Sequence, residues 1–239
     1  MDDATPPARG GTQFIPRPDA WRLGQPAPWR DGAMVGSVDE LIGRVAAREL
    51  AREPAGDGSG FVPLFDGARH SAVLVVLHQG AEGPEVLFTK RSSSLRNHRG
   101  EISFPGGRVD PGETAVQAAL REAWEEVALA PELVTVHGQL DHLATIVSNS
   151  HIVPVVATVA ERPELHAHAA EVDRILWVGL DELARADTFR EEWWGEPPAD
   201  RPIFFFELSD ETVWGATARI LHQLLRLAHG LSGPEPLAW

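Results

Sequence analysis

The stretch Gly107-Arg-Val-Asp-Pro-Gly-Glu113-Thr-Ala-Val-Gln-Ala-Ala-Leu-Arg121-Glu122-Ala-Trp-Glu125-Glu126-Val-Ala128-Leu129 decides how this chain is read. It predicts a turn at Gly106-Gly107 and a helix from about Thr114 to Val127, with Pro131 beyond its end. On that helix Glu122, Glu125 and Glu126 stand at i, i+3 and i+4, so three carboxylates project from one face. Like charges stacked in this way are destabilising unless something positive lies between them. An oxygen-only donor set with no His or Cys nearby suits a hard divalent cation, Mg2+ or Mn2+. Such ions act beside substrate phosphates, where they neutralise charge and activate water. The glycine turn lets backbone approach the same point closely. Glu113 and Arg121 are spaced to pair across the loop and steady the helix start. A solvated acidic helix face would also present three glutamates. The six specified positions, Gly107, Glu113, Arg121, Glu122, Glu125 and Glu126, match by chance on the order of 10^-7 per start position, which favours a functional site.

Outward from this stretch, Ser71–Leu77 and Glu85–Arg91 read as strands, and Glu101–Phe104 as a short strand stopping at Pro105-Gly106-Gly107. Beyond it, Thr135–Leu143, His151–Ala160, Arg174–Val178 and Ile203–Leu208 read as strands, Leu180–Ala184 as a short helix and Ala216–Ala228 as a longer one. Ser37-Val38-Asp39-Glu40 reads as a capping box opening a helix to about Arg52, with a loop at Gly56–Gly60. Strands and helices alternate without repeats, which predicts an α/β domain with helices packed on a mixed β-sheet. Residues 1–36 are expected to be an extended Pro/Gly-rich N-terminal arm, flexible or draped on the domain. Residues 37–239 are expected to form a single domain with an N-terminal helix.

The chain has 239 residues, with 21 basic and 35 acidic side chains and a net charge of −14. That balance argues against electrostatic binding to nucleic acid or an anionic membrane. The absence of Cys rules out disulfides, thiolate metal sites and a Cys nucleophile. No apolar run approaches the roughly 20 residues of a membrane helix. The acidic start lacks an apolar stretch behind it, so a cytoplasmic protein is expected. Within this acidic chain, Lys90, Arg91, Arg96, Arg99 and Arg108 crowd cations just ahead of the glutamates. Arginine forks suit phosphate recognition. His98 is either a phosphate binder or a structural hydrogen-bonder. Glu101 either supports a metal site through water or simply ends a strand.

The quoted stretch resembles the Nudix hydrolase signature G-x5-E-x7-R-E-U-x-E-E-x-G-U, with U apolar. Ala128 stands where that family has Gly. The resemblance implies an α/β/α sandwich and hydrolysis of a nucleoside diphosphate linked to another group. It implies that Glu122, Glu125 and Glu126 bind the metals, allows the Gly107 carbonyl as a further ligand, and has Arg121 orient the glutamates. The preceding run, Leu87 to Gly107, resembles the L-L-T-x-R-S-x-x-L-R-x-H-x-G-E-x-S-F-P-G-G motif of the coenzyme A pyrophosphatase branch, with Phe88 replacing a Leu. Val213–Leu221 resembles that branch too. This implies a CoA-like nucleotide substrate, cleaved to 3′,5′-ADP and 4′-(acyl)phosphopantetheine, with Lys90, Arg91, Arg96, His98, Arg99 and Arg108 as candidate substrate-binding residues. Asn149 and His151 depart from that branch between Thr145 and Pro154. The alternatives are a Nudix hydrolase of ADP-ribose, NADH, a dinucleoside polyphosphate or an oxidised nucleoside triphosphate, and a non-catalytic nucleotide-binding module. Candidates for the general base are Glu126, Glu191, Glu192, Glu196 and Glu207. Trp193 and Trp194, read in a Gly/Pro-rich loop, either stack on adenine or pack on the domain or a partner. Apolar residues near 193–206 and the terminal Leu237-Ala238-Trp239 offer a surface for a homodimer.

Overall fold

The computed structural model describes residues 9–30, 32–50, 68–95, 98–145 and 149–231. Arg96, the loop read at 56–60, Ser148 and the terminal Leu237-Ala238-Trp239 lie outside the described residues. In chain order the elements are β1 (Trp21–Leu23), α1 (Val38–Leu50), β2 (Arg69–Gly80), β3 (Gly83–Arg91), β4 (Ile102–Ser103), β5 (Gly106–Arg108) and α2 (Ala115–Val127). After a 3-10 turn at Pro131–Leu133 come β6 (Val134–Gln139), β7 (Leu143–Thr145), β8 (Ser150–Val159), β9 (Val172–Gly179) and α3 (Leu180–Ala184). The chain ends with β10 (Phe189–Trp194), β11 (Arg201–Glu207), β12 (Thr212–Trp214) and α4 (Gly215–Ala228). Among the described residues no helix is long and apolar enough to cross a membrane.

A mixed sheet is the frame of the molecule. Its strands run β4-β3-β2-β8-β6, with β5 also on β2, β7 on β8 and β9 on β3. The β2–β8 pair is parallel and the other described pairs are antiparallel. The continuous apolar run Ala72–Leu77 in the middle of β2 is what a strand covered on both faces requires. Ala72, Leu74 and Val76 meet Ala118, Ala119, Ala123 and Val127 of α2. Val75 and Leu77 face the other way, with Val86 and Phe88, towards Leu41 and Val45 of α1 and Leu221 and Leu225 of α4. Each fully buried aliphatic side chain here contributes about 1.5–3 kcal/mol from leaving water. The result is helices packed on a mixed sheet, as the sequence predicts, in the α/β/α layering that the resemblance implies.

Helix α2 starts because Thr114 caps it: the Gln117 N–H donates to the Thr114 hydroxyl at 3.2 Å, and the Gln117 side-chain oxygen accepts from the Thr114 N–H at 2.9 Å. It ends at Ala128, whose φ of 57° and ψ of 31° are left-handed. At α1 only half of the expected capping box forms. Ser37 Oγ accepts from the Glu40 N–H, whereas the Glu40 carboxylate pairs with Arg44 one turn on.

A second, wholly antiparallel sheet, β1-β10-β11-β12, lies beyond the single sheet read from the sequence. The arm joins it: β1 pairs with β10, matching Trp21 with Trp194 and Leu23 with Glu192. Two local expectations are corrected. Trp193 and Trp194 sit on strand β10, not in a loop, because Pro202 and Arg201 opposite them supply a pairing partner. Thr135–Leu143 is not one strand: the ladder to β8 shifts register between Val136 and Gly138, and a separate β7 begins at Leu143. The short strand expected to stop at Pro105 resumes as β5, pairing Gly106 with Val73 and Gly107 with Ala72.

Candidate active site

The three glutamates of α2 have unequal surroundings, although their spacing puts them on one face. The Glu125 side chain is 55% exposed, whereas Glu126 is 2% exposed. Glu122 lies under the β5 turn, where any side chain at position 107 would overlap its carboxylate. A side chain at position 106 would likewise overlap the Ala72 carbonyl. Glycine at 106 is therefore a packing requirement, whereas at 107 a side chain would displace the Glu122 carboxylate; together they bring bare backbone against the carboxylates.

Arg121 ties the cluster together. Its Nε and Nη2 donate to Glu113 at 3.0 and 3.1 Å, and its Nη1 donates to Glu122 at 2.9 Å and Glu125 at 3.0 Å. Nη2 also donates to the Arg108 carbonyl at 2.9 Å, which fixes the end of β5. The guanidinium bonds hold the Glu113 carboxyl below the ordinary carboxylate range. Glu122 is shifted upward, chiefly by burial, against the pull of Arg121. Burial pushes Glu126 further, to about 7, although the Gly106 N–H at 3.2 Å and Arg91 at 3.6 Å oppose it. A buried carboxyl that resists ionisation next to two others is a site that gains from a cation.

Sequence reasoning missed Glu171. Its charge adds to the upward push on both Glu122 and Glu126. The segment carrying it is held across the end of α2, with the His168 N–H donating to the Glu126 carbonyl and the Ser92 N–H donating to the Glu171 carbonyl. An isolated Glu in an irregular stretch carries no periodic signal. Its position just before the apolar run of β9 was the only clue.

Among the described residues no group of three or more acidic or imidazole side chains converges tightly enough to close on an ion. The donor chemistry nevertheless fits a hard divalent cation, because the cluster offers carboxylate oxygens and bare backbone at the glycine turn. The cations ahead of the glutamates are divided. Strand alternation sends Arg91 to the α2 face, where it meets Glu126. Lys90 goes to the opposite face, where its Nζ lies 2.6 Å from Glu211. Lys90, expected among the phosphate-binding residues, is thus not brought to the glutamates. Arg91 Nε is buried and has no hydrogen-bond acceptor among the described residues. Arg99 and Arg108 are exposed. His98 Nδ1 lies 3.0 Å from Glu101, whose carboxylate raises the imidazole pKa.

Of the other base candidates, Glu191, Glu192 and Glu207 fall on the second sheet and Glu196 beside it. Glu192 is fully buried and engaged by Arg17, Arg190 and Trp194. Glu207 pairs with Arg190, Glu191 accepts from Trp193 Nε1, and Glu196 lies in the turn after β10. His151 is buried, with its Nε2 3.1 Å from His142 Nδ1.

A family model described as the NUDIX domain matches residues 68–196. An uncharacterized Nudix hydrolase NudL of Photorhabdus laumondii is 36% identical over 163 residues, covering 67% of this chain and 86% of that protein. Nudix hydrolase 3 of Caenorhabditis elegans is 32% identical over 196 residues, covering 75% of this chain and 82% of that protein. A crystal structure of a C. elegans Ap4A hydrolase shares 26% identity over 46% of this chain and 80% of that one, with a TM-score of 0.41.

Proposed function

The chain belongs to the Nudix family and is a hydrolase of nucleoside diphosphate derivatives, and from that premise we propose that its substrate is coenzyme A or acyl-CoA. The carrying observation is the run from Leu87 to Gly107, whose residues match the coenzyme A pyrophosphatase motif. The placement of Arg91 supports it. A buried Nε without an acceptor, beside the Glu126 carboxylate, is a donor suited to a pyrophosphate oxygen. Exposed Arg99 and Arg108 supply charge for a further phosphate, such as the 3′-phosphate of CoA.

Glu122, Glu125 and Glu126, with the Gly107 carbonyl, are the residues that would hold Mg2+ or Mn2+. When bound, the metal neutralises pyrophosphate charge and acidifies a water. Arg121 keeps Glu122 and Glu125 oriented. Arg91 binds the pyrophosphate. Glu171, a loop carboxylate felt by both Glu122 and Glu126, is a better candidate to receive the water's proton than Glu191, Glu192, Glu196 or Glu207. The water oxygen bonds to one phosphorus, the bridging P–O bond breaks, and 3′,5′-ADP leaves from 4′-(acyl)phosphopantetheine. Asn149 and His151 favour one second reading, hydrolysis of another nucleoside diphosphate derivative.

The test is to incubate the protein with Mg2+ or Mn2+ and CoA, acetyl-CoA, ADP-ribose, NADH and diadenosine polyphosphates, and to separate the products. The expected result is 3′,5′-ADP with CoA preferred. Turnover of another member with CoA untouched discards the substrate and keeps the hydrolase.

A further inference from the structure

The motif Val213–Leu221 has no place among the glutamates: it covers the end of β12 and the first turns of α4, which packs on the sheet face opposite α2. What its Arg219 reaches instead is a cavity of about 200 Å³ between α4, the second sheet and arm residues 25–28. Arg219 is 5% exposed, and its guanidinium lies 5.8 Å from the centre of the Phe204 ring. Phe204 is in turn stacked on His222, with centroids 4.0 Å apart and planes 17° from parallel. Arg226, one turn beyond His222 on the same helix, lines the cavity from α4, and Trp193 lines it from β10. Among the described residues no carboxylate forms an ion pair with Arg226. The one acidic lining residue, Glu191, has a carboxylate oxygen 2.5 Å from Trp193 Nε1.

A chain with a net charge of −14 thus presents the Arg226 guanidinium and the flat Trp193 ring in one concave place, with Arg219 and the Phe204–His222 stack behind them. Aromatic walls favour a planar body through stacking. Guanidiniums in a partly desolvated cleft favour an oxyanion through charge-assisted bonds. The volume exceeds the roughly 150 Å³ that accommodates a single benzene ring and falls short of a typical drug-sized pocket.

We propose that this cleft is a binding site for a planar aromatic anion of one or two rings, bearing a carboxylate or a phosphate, separate from the glutamate cluster. The ring enters between Trp193 and the arm prolines, and the anionic group meets Arg226, with Arg219 behind it.

The experiment is isothermal titration of the full chain in EDTA with two probes, indole-3-acetate and AMP. EDTA leaves the glutamates without metal, so the result does not depend on the substrate reading. At least one probe is expected to bind at one per chain with submillimolar affinity, and which one binds separates carboxylate from phosphate ligands. Arg226→Ala and Trp193→Ala should each weaken binding tenfold or more while retaining the native circular-dichroism spectrum and basal hydrolase activity. Glu125→Gln should bind the probe unchanged. Absence of saturable binding to both probes overturns the proposal. So does binding that survives Arg226→Ala and Trp193→Ala but is lost in Glu125→Gln. If Trp193→Ala unfolds the chain, Arg226→Glu decides alone, since it reverses a charge on a partly exposed helix position.

Discussion

Arg121 grips Glu113 with two separate donors, Nε to Oε1 at 3.0 Å and Nη2 to Oε2 at 3.1 Å, across the loop that leads into α2. The same guanidinium also reaches Glu122, Glu125 and the Arg108 carbonyl. A lysine ammonium has neither the planar fork nor enough donors in that geometry to replace it. Arg121→Lys should cut kcat about 10–100-fold with only about 1 kcal/mol lost from stability, because the network is partly exposed. Steady-state kinetics beside a thermal melt checks this. A variant as active as the parent would mean that the glutamates need no such orientation.

Neighbouring Lys90 and Arg91 should behave as unrelated residues. Arg91→Ala should raise KM for the substrate tenfold or more. Lys90→Ala should change KM less than about threefold. It should instead lower stability by about 1 kcal/mol, since it leaves the buried Glu211 to Arg174 at 3.5 Å. Equal KM effects would contradict the division of the two side chains between faces.

Glu126→Gln should abolish most turnover while leaving the circular-dichroism spectrum native. In the parent, millimolar Mg2+ or Mn2+ should raise Tm by several degrees, as any ligand that prefers the folded state does. The variant should lose most of that gain. An undiminished metal-induced shift in Glu126→Gln would remove this residue from the metal site.

Position 128 offers a gain of stability. A non-glycine residue in the left-handed region costs about 1 kcal/mol, and Ala128 sits there with φ 57°. Ala128→Gly should relieve that strain against a smaller entropic loss in the unfolded chain, raising Tm by about 1–3 °C with activity unchanged. Differential scanning calorimetry reads this directly, and a lower Tm would show that the turn is not strained.

His151 gives the fold an acid-sensitive point. Burial, reinforced by His70, lowers its pKa in the folded protein. His142 faces it from the residue before β7 and His70 from β2. The unfolded chain therefore takes up this proton first. The stabilisation is complete above the ordinary histidine pKa of about 6.5 and is lost as pH falls below it. Tm should fall between pH 7.5 and 5.5, and His151→Asn should fall less steeply. Parallel slopes would assign the acid sensitivity elsewhere.

The parts of the molecule legible in the sequence were those written in contiguous, periodic residues. The apolar run of β2, the Thr114 cap and the i, i+3, i+4 glutamates each specify their own local structure. The second sheet was not legible, because β1, β10 and β12 are short and gain stability only from partners far along the chain. The pairing of Trp21 with Trp194 has no local signal. The separation of Lys90 from Arg91 was legible in principle, since period-two alternation follows once β3 is recognised. Glu171 was not, since its relation to Glu122 and Glu126 exists only after β9 has paired with β3.

The parallel ladder between β2 and β8 has a consequence for the order of assembly. It joins Arg69 to Ser150, so the whole loop between them, including β5 and α2, must close before the ladder exists. Closing such a loop costs configurational entropy that local contacts do not refund, which makes it a late event. A nascent chain ending after α2 would carry Glu122, Glu125 and Glu126 but not Glu171, and β2 would still lack the neighbour that shields its other edge. The motif is therefore complete in synthesis well before its scaffold, and the catalytic surface matures only when β8 emerges.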